Sequence, residues 1–141
     1  MLAALLGLLC VAMSGVILVA LHVLPTGIDP VRYAVSDYGW TRYGWGYRAM
    51  VLLQGVGAIL IAVGLGQETD ANELGWLYVY GVVRLLISGF MTDREPEGLR
   101  SLSRTGLIHM ALAGTAFASI AVASSRIDWT GMPDYLDPLG W

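Results

Sequence analysis

Apolar residues in this chain gather in four runs, at residues 2–24, 49–66, 74–91 and 107–124, separated by polar stretches. A helix crossing a bilayer needs about 20 mostly apolar residues, and about 17 is the lower bound. All four runs meet that bound, the third only just. The pattern predicts an all-α polytopic membrane protein: one domain over residues 1–141, built as a bundle of four transmembrane helices.

The polar stretches have distinct characters. Pro25 closes the first run, and the connection at 25–48 is long for a helical bundle. Its Tyr33, Tyr38, Trp40, Tyr43, Trp45 and Tyr47 have the amphipathic chemistry of the headgroup zone. Part of it is therefore expected to lie along the interface or fold back on the bundle. The second connection, 67–73, is short and acidic, and the third contains Pro96 and Gly98, which prevent one continuous helix. The tail at 125–141 carries Trp129, Tyr135 and Trp141, suiting an interfacial segment or one that docks on a partner. The first run lacks a basic leader and is longer than the apolar part of a signal peptide, so it reads as a retained helix.

Composition narrows the class further. Hydrophobic residues make up 56% and charged residues 13%, and the net charge is −3, leaving no basic surface for a nucleic acid. Mean hydropathy is +0.63. Cys10 is the only cysteine, so no intrachain disulfide forms, and the Leu9 before it argues against a lipoprotein site. All 8 basic residues are arginine. Four crossings put both termini and the second connection on one side, where only Arg126 is basic. Arg32, Arg42, Arg48, Arg94, Arg100 and Arg104 fall on the other. The positive-inside rule then places the first and third connections in the cytoplasm and the termini outside a prokaryotic cell membrane.

Helix association in lipid depends on close backbone approach, which small residues permit. The fourth run offers Ala111, Thr115, Ser119 and Ala123 at a four-residue spacing, with Gly114 and Ala118 beside them. Gly7, Ser14 and Gly15, then Gly55, Gly57 and Gly64, then Gly81 and Gly89 supply the other runs. These stripes are expected to pack the bundle; the alternative is a face that binds another chain.

Several polar residues call for a reason. Arg84 lies near the middle of the third run, where a charge costs at least about 2.5 kcal/mol. Gln54, Ser14, Ser88, a backbone carbonyl or a lipid headgroup are its candidate partners. It is either a hydrogen-bonded structural arginine or a contact for a lipid, an anionic substrate or an acidic partner residue. Arg42, Arg100 and Arg104 are further candidate phosphate contacts. His22, Asp37, Asp93 and His109 fall at one end of the bundle by parity, and histidine with carboxylate is zinc-ligand chemistry. A divalent metal, a proton site or a purely structural network are the three readings, and the last is favoured; no cofactor is implied. Ser36 begins a turn, Ser36-Asp37-Tyr38-Gly39, and would act as a nucleophile only with His109 as its base.

These segments resemble a known family. The Ser36-Asp37-Tyr38-Gly39 turn before the second run, Gly89-Phe90-Met91-Thr92-Asp93 at the end of the third and Ser103-Arg104-Thr105-Gly106-Leu107-Ile108-His109 opening the fourth are similar to small prokaryotic membrane proteins grouped as domain of unknown function 998. The resemblance implies a helical membrane bundle and puts Ser36, Asp37, Asp93 and His109 at motif positions, without implying an activity. Met91 stands where the family's usual turn has proline, and Arg84 has no counterpart. Family members commonly have further spans after the fourth, so the chain resembles a shortened copy.

Three functions fit. The favoured one is a non-catalytic accessory or assembly subunit of a membrane complex, with the bilayer and another membrane protein or a second copy as partners. The second is a lipid-modifying or lipid-binding enzyme using Asp37, Asp93 and His109, with arginine on a phosphate. The third is an oligomeric small transporter.

Overall fold

The computed structural model describes residues 1–66, 71–93 and 102–126, and among these the structure is all helical. Helix α1 is Leu2–Val23, a short 3-10 helix η1 is Val35–Trp40, and α2 is Gly44–Leu65. Helix α3 is Ala71–Ile87 and α4 is Arg104–Ser125. Helices α1, α2 and α4 are each long and apolar enough to cross a membrane, while α3 contributes a shorter apolar stretch, Leu74–Ile87.

Two glycines set the place of α2. Gly55 and Gly57 are two residues apart, which turns them to opposite sides of a helix. A Cβ on Gly57 would come within 2.9 Å of the Gly7 carbonyl oxygen, and one on Gly55 within 2.8 Å of the Gly81 carbonyl oxygen. Backbone therefore touches backbone on both flanks, and α2 lies between α1 and α3. The α1 contact follows a seven-residue period, with Gly7, Ser14 and Leu21 its buried residues. Helix α4 packs on α3, so the extensive contacts run α1–α2, α2–α3 and α3–α4.

The core sits at the end where α1 meets η1. Leu21, Tyr38, Tyr47, Met50, Val51 and Ile87 form one buried cluster, with Leu112 and Ala113 of α4 packed against it. The aromatic connection folds back as its sequence suggests, and η1 packs on α2. Gly44 permits that approach, since a Cβ there would strike the Gly39 carbonyl oxygen.

Two expectations change. The third apolar run continues to Met91 in sequence, but the helix ends at Ile87. Its final turn tightens through i→i+3 bonds, Gly89 N–H to the Leu86 carbonyl (3.0 Å) and Phe90 N–H to the Ile87 carbonyl (3.1 Å). Ser88 Oγ also bonds back to the Leu85 carbonyl (2.7 Å), and residues 88–93 continue without helix. Arg84 is thus in the last turn of α3, while its partner Gln54 is midway along α2.

The packing face of α4 also differs. Gly106, His109, Ala116 and Ser119 are its buried residues. Ala111, Gly114, Thr115 and Ala118 are exposed, and a Cβ on Gly114 would meet nothing within 4 Å. A four-residue spacing drifts around a helix by about 40° per step. That stripe therefore reaches the bundle only at Ser119 and beyond, whereas Gly106, His109, Ala113, Ala116 and Ala123 hold one side.

Candidate functional site

His109, Trp40 and Gly39 meet at the irregular segment 88–93. Its backbone has lost helical partners, and in an apolar setting each free carbonyl is costly. His109, 5% exposed, reaches across from α4 and bonds Phe90 O through Nδ1 at 2.7 Å. A carbonyl only accepts, so Nδ1 carries the proton. Trp40, the last residue of η1, donates Nε1–H to Thr92 O at 2.9 Å. Gly39 makes room for the same segment, because a Cβ there would collide with the Met91 methyl.

Asp93 ends the segment and starts the next helix. Ser103 is the N-cap of α4, and its Oγ accepts the Gly106 N–H at 3.0 Å. The Asp93 carboxylate accepts both the Ser103 N–H and the Ser103 hydroxyl at 2.6 Å. An acidic group beside a helix N-terminus also meets the positive end of the helix dipole. Glycine at 106 leaves room for the carboxylate, which a Cβ there would displace.

The first connection closes the arrangement. Asp37 Oδ2 accepts the Ala34 N–H at 3.1 Å, holding the start of η1. Tyr38, 1% exposed, packs into the core with its ring 5.4 Å from that of His22. Burial first, and the Asp29 carboxylate second, push its hydroxyl above the ordinary pKa of tyrosine. His22 Nδ1 bonds Leu18 O one turn back, at 2.7 Å.

Asp37 and Asp93 line the same cavity, of about 460 Å³, together with Thr26, Trp40, Thr92 and Met110. Ser36, His22 and His109 are not in its wall. Among the described residues no three histidine, cysteine or carboxylate side chains come together as a metal set. The proposed quartet of His22, Asp37, Asp93 and His109 is therefore not assembled as a ligand sphere: both histidines are tied by Nδ1 to backbone carbonyls, and both aspartates accept hydrogen bonds that hold turns. Nor is Ser36 hydrogen-bonded to His109.

Of the arginines, Arg84 bonds Gln54 Oε1 through Nη2, the first partner the sequence suggests. Arg42 lies with its guanidinium 4.7 Å above the Tyr43 ring, and Arg104 is exposed at the start of α4. Arg100 lies outside the described residues, as do 127–141 of the aromatic tail. Sequence reasoning missed Trp40 as a tether and Gly39 and Gly106 as clearance. The signal was an indole N–H in a connection that folds inward, where it needs an acceptor.

The fold and this junction define a helical protein of membrane-spanning type, whose motif side chains clamp an irregular segment between η1 and α4. The chain belongs to the family described as Protein of unknown function (DUF998), which it matches over residues 2–137. No curated protein and no solved structure gives a significant match.

Proposed function

We propose that the chain is a four-span subunit of the cell membrane that acts without catalysis, as an accessory or assembly partner of a membrane complex. The observation that carries this reading is the outward stripe Ala111, Gly114, Thr115 and Ala118 on α4. Small residues facing away from their own bundle leave a helix surface suited to close approach by another helix. The motif side chains support it as well, because their hydrogen bonds hold backbone in place.

The fourth crossing is part of the proposal. Helix α3 has 17 residues, about 26 Å, against a hydrocarbon core of about 30 Å. Segment 88–93 would complete it, with its Phe90 and Thr92 carbonyls satisfied by His109 and Trp40. The arginine distribution favours a cytoplasmic location for the first and third connections.

Native mass spectrometry of the chain, extracted in mild detergent from its own host membrane, tests this reading. A stoichiometric complex with other polypeptides that is lost in Gly114→Leu is expected. Recovery only as a solitary, stable chain would remove the reading.

The cavity favours a second one, a lipid-binding or lipid-modifying protein with Asp37 and Asp93 at the interface. Lipid retained by the wild type and lost in Asp37→Asn, with unchanged thermal stability, would move the assignment there.

A further inference from the structure

Among the described residues Arg84 has a neutral acceptor but no counter-charge. It lies opposite Tyr78, Val79, Val82 and Leu86, the exposed side of α3, and so sits on the face toward α2 and α4. Those two helices flank α3 without packing extensively on each other, and Arg84 is half-buried. One guanidinium nitrogen, Nη2, is held by Gln54, and the Tyr80 ring lies 6.0 Å from the guanidinium carbon. Nε is buried with no hydrogen-bond partner among the described residues.

All 11 acidic residues of the sequence fall outside the four apolar runs. Gln54 is midway along α2, so the guanidinium is anchored about 15 Å from either end of that helix. A lipid phosphate at the bilayer surface is poorly placed to reach it. Among the described residues a second copy of this chain brings no carboxylate to that depth, since Asp29, Asp37 and Asp93 all lie in the connections.

We propose that Arg84 receives the carboxylate of a transmembrane helix of another protein, seated on the α2–α4 side of α3. An arginine at this depth keeps a carboxylate beside it ionised, and the pair replaces two separately uncompensated groups. A guanidinium suits that partner, since its planar fork of donors matches the two oxygens of a carboxylate, with Gln54 yielding Nη2 as the pair forms. This inference rests on the subunit reading and gives that reading a recognition chemistry.

The test uses the full chain, labelled and reconstituted in phosphatidylcholine vesicles, with energy transfer to synthetic Leu/Ala transmembrane helices. Three helices differ at one central position, which is Glu, Gln or Leu. The Glu helix is expected to associate about tenfold more tightly than the Leu helix. Arg84→Gln should abolish that preference and Arg84→Lys should keep part of it. Equal association of the Glu and Leu helices with the unmodified chain would overturn the assignment, with no variant needed. So would a preference that survives Arg84→Gln, or one that phosphatidylglycerol erases, since the site would then belong to lipid phosphate. Failure here beside an intact complex from host membranes would leave the subunit reading standing and remove only the role of Arg84.

Discussion

Replacing His109 with alanine separates a tether from a catalyst. The substitution removes the N–H that satisfies Phe90 O, along with the ring of a residue only 5% exposed. Side-chain hydrogen bonds between membrane helices average about 0.6 kcal/mol, with a maximum near 1.7. This one belongs at the upper end, because the orphaned carbonyl lies in a non-helical segment with no intrahelical alternative. The void left by the ring adds to it, giving a loss of about 2–3 kcal/mol. Equilibrium unfolding in mixed micelles with increasing denaturing detergent measures this. Thr115→Ala serves as the control, since Thr115 faces outward and bonds only Ala111 O on its own helix; its change should stay within about 0.5 kcal/mol. His109→Gln, which keeps an N–H donor, should recover part of the loss. A His109→Ala chain as stable as the control would refute the tether.

Other substitutions probe the remaining contacts. Gly57→Ala puts a methyl 2.8 Å from a Val11 methyl and 2.9 Å from the Gly7 carbonyl oxygen; it should cost about 1–3 kcal/mol in the same assay, and no loss would contradict the backbone contact. Gly106→Ala gains about 1 kcal/mol of helix propensity but displaces the Asp93 carboxylate, so the net effect should be a loss of about 1 kcal/mol. A stabilised chain would show that the carboxylate moves aside freely. Tyr38 should ionise only above its ordinary range, because its folded pKa is raised. Its contribution is then fully present below pH ~10 and lost as pH rises through the folded value. Tyr38→Phe should blunt that alkaline loss, with little change at neutral pH, and unfolding titrations of both chains would reveal an identical alkaline limb if the reasoning fails. Nitrogen chemical shifts of labelled His109 should report the Nδ1–H tautomer, and the Nε2–H form would exclude the bond to Phe90 O.

Hydrophobic run length made the helices legible, because burial in an apolar medium needs long uninterrupted stretches. It overstated α3, since Ser88, Gly89 and Phe90 are apolar enough to extend the run while the backbone there is already leaving the helix. The family resemblance found the motif residues, and the structure brings Asp93 and His109 to one junction, with Asp37 across the cavity from Asp93 and Ser36 outside it. Their partners were not legible: His109 and Trp40 bond backbone carbonyls, which have no identity in a sequence. The face of α4 was misread for a related reason. Small residues recur so densely there that several stripes can be drawn, and only the position of Gly106 against Asp93 selects the one turned inward. Gln54 could be found because it is a rare polar side chain at a suitable depth.

The fit between Asp93 and Gly106 has an evolutionary consequence. The two residues are coupled: a larger side chain at 106 displaces the Asp93 carboxylate, and a chain lacking the carboxylate has no need of the glycine. Among relatives the two positions should therefore change as a pair, with Ser103 following whenever the acid is lost. Paired change at 93 and 106 would mark the junction as one unit although its residues are separated in the chain.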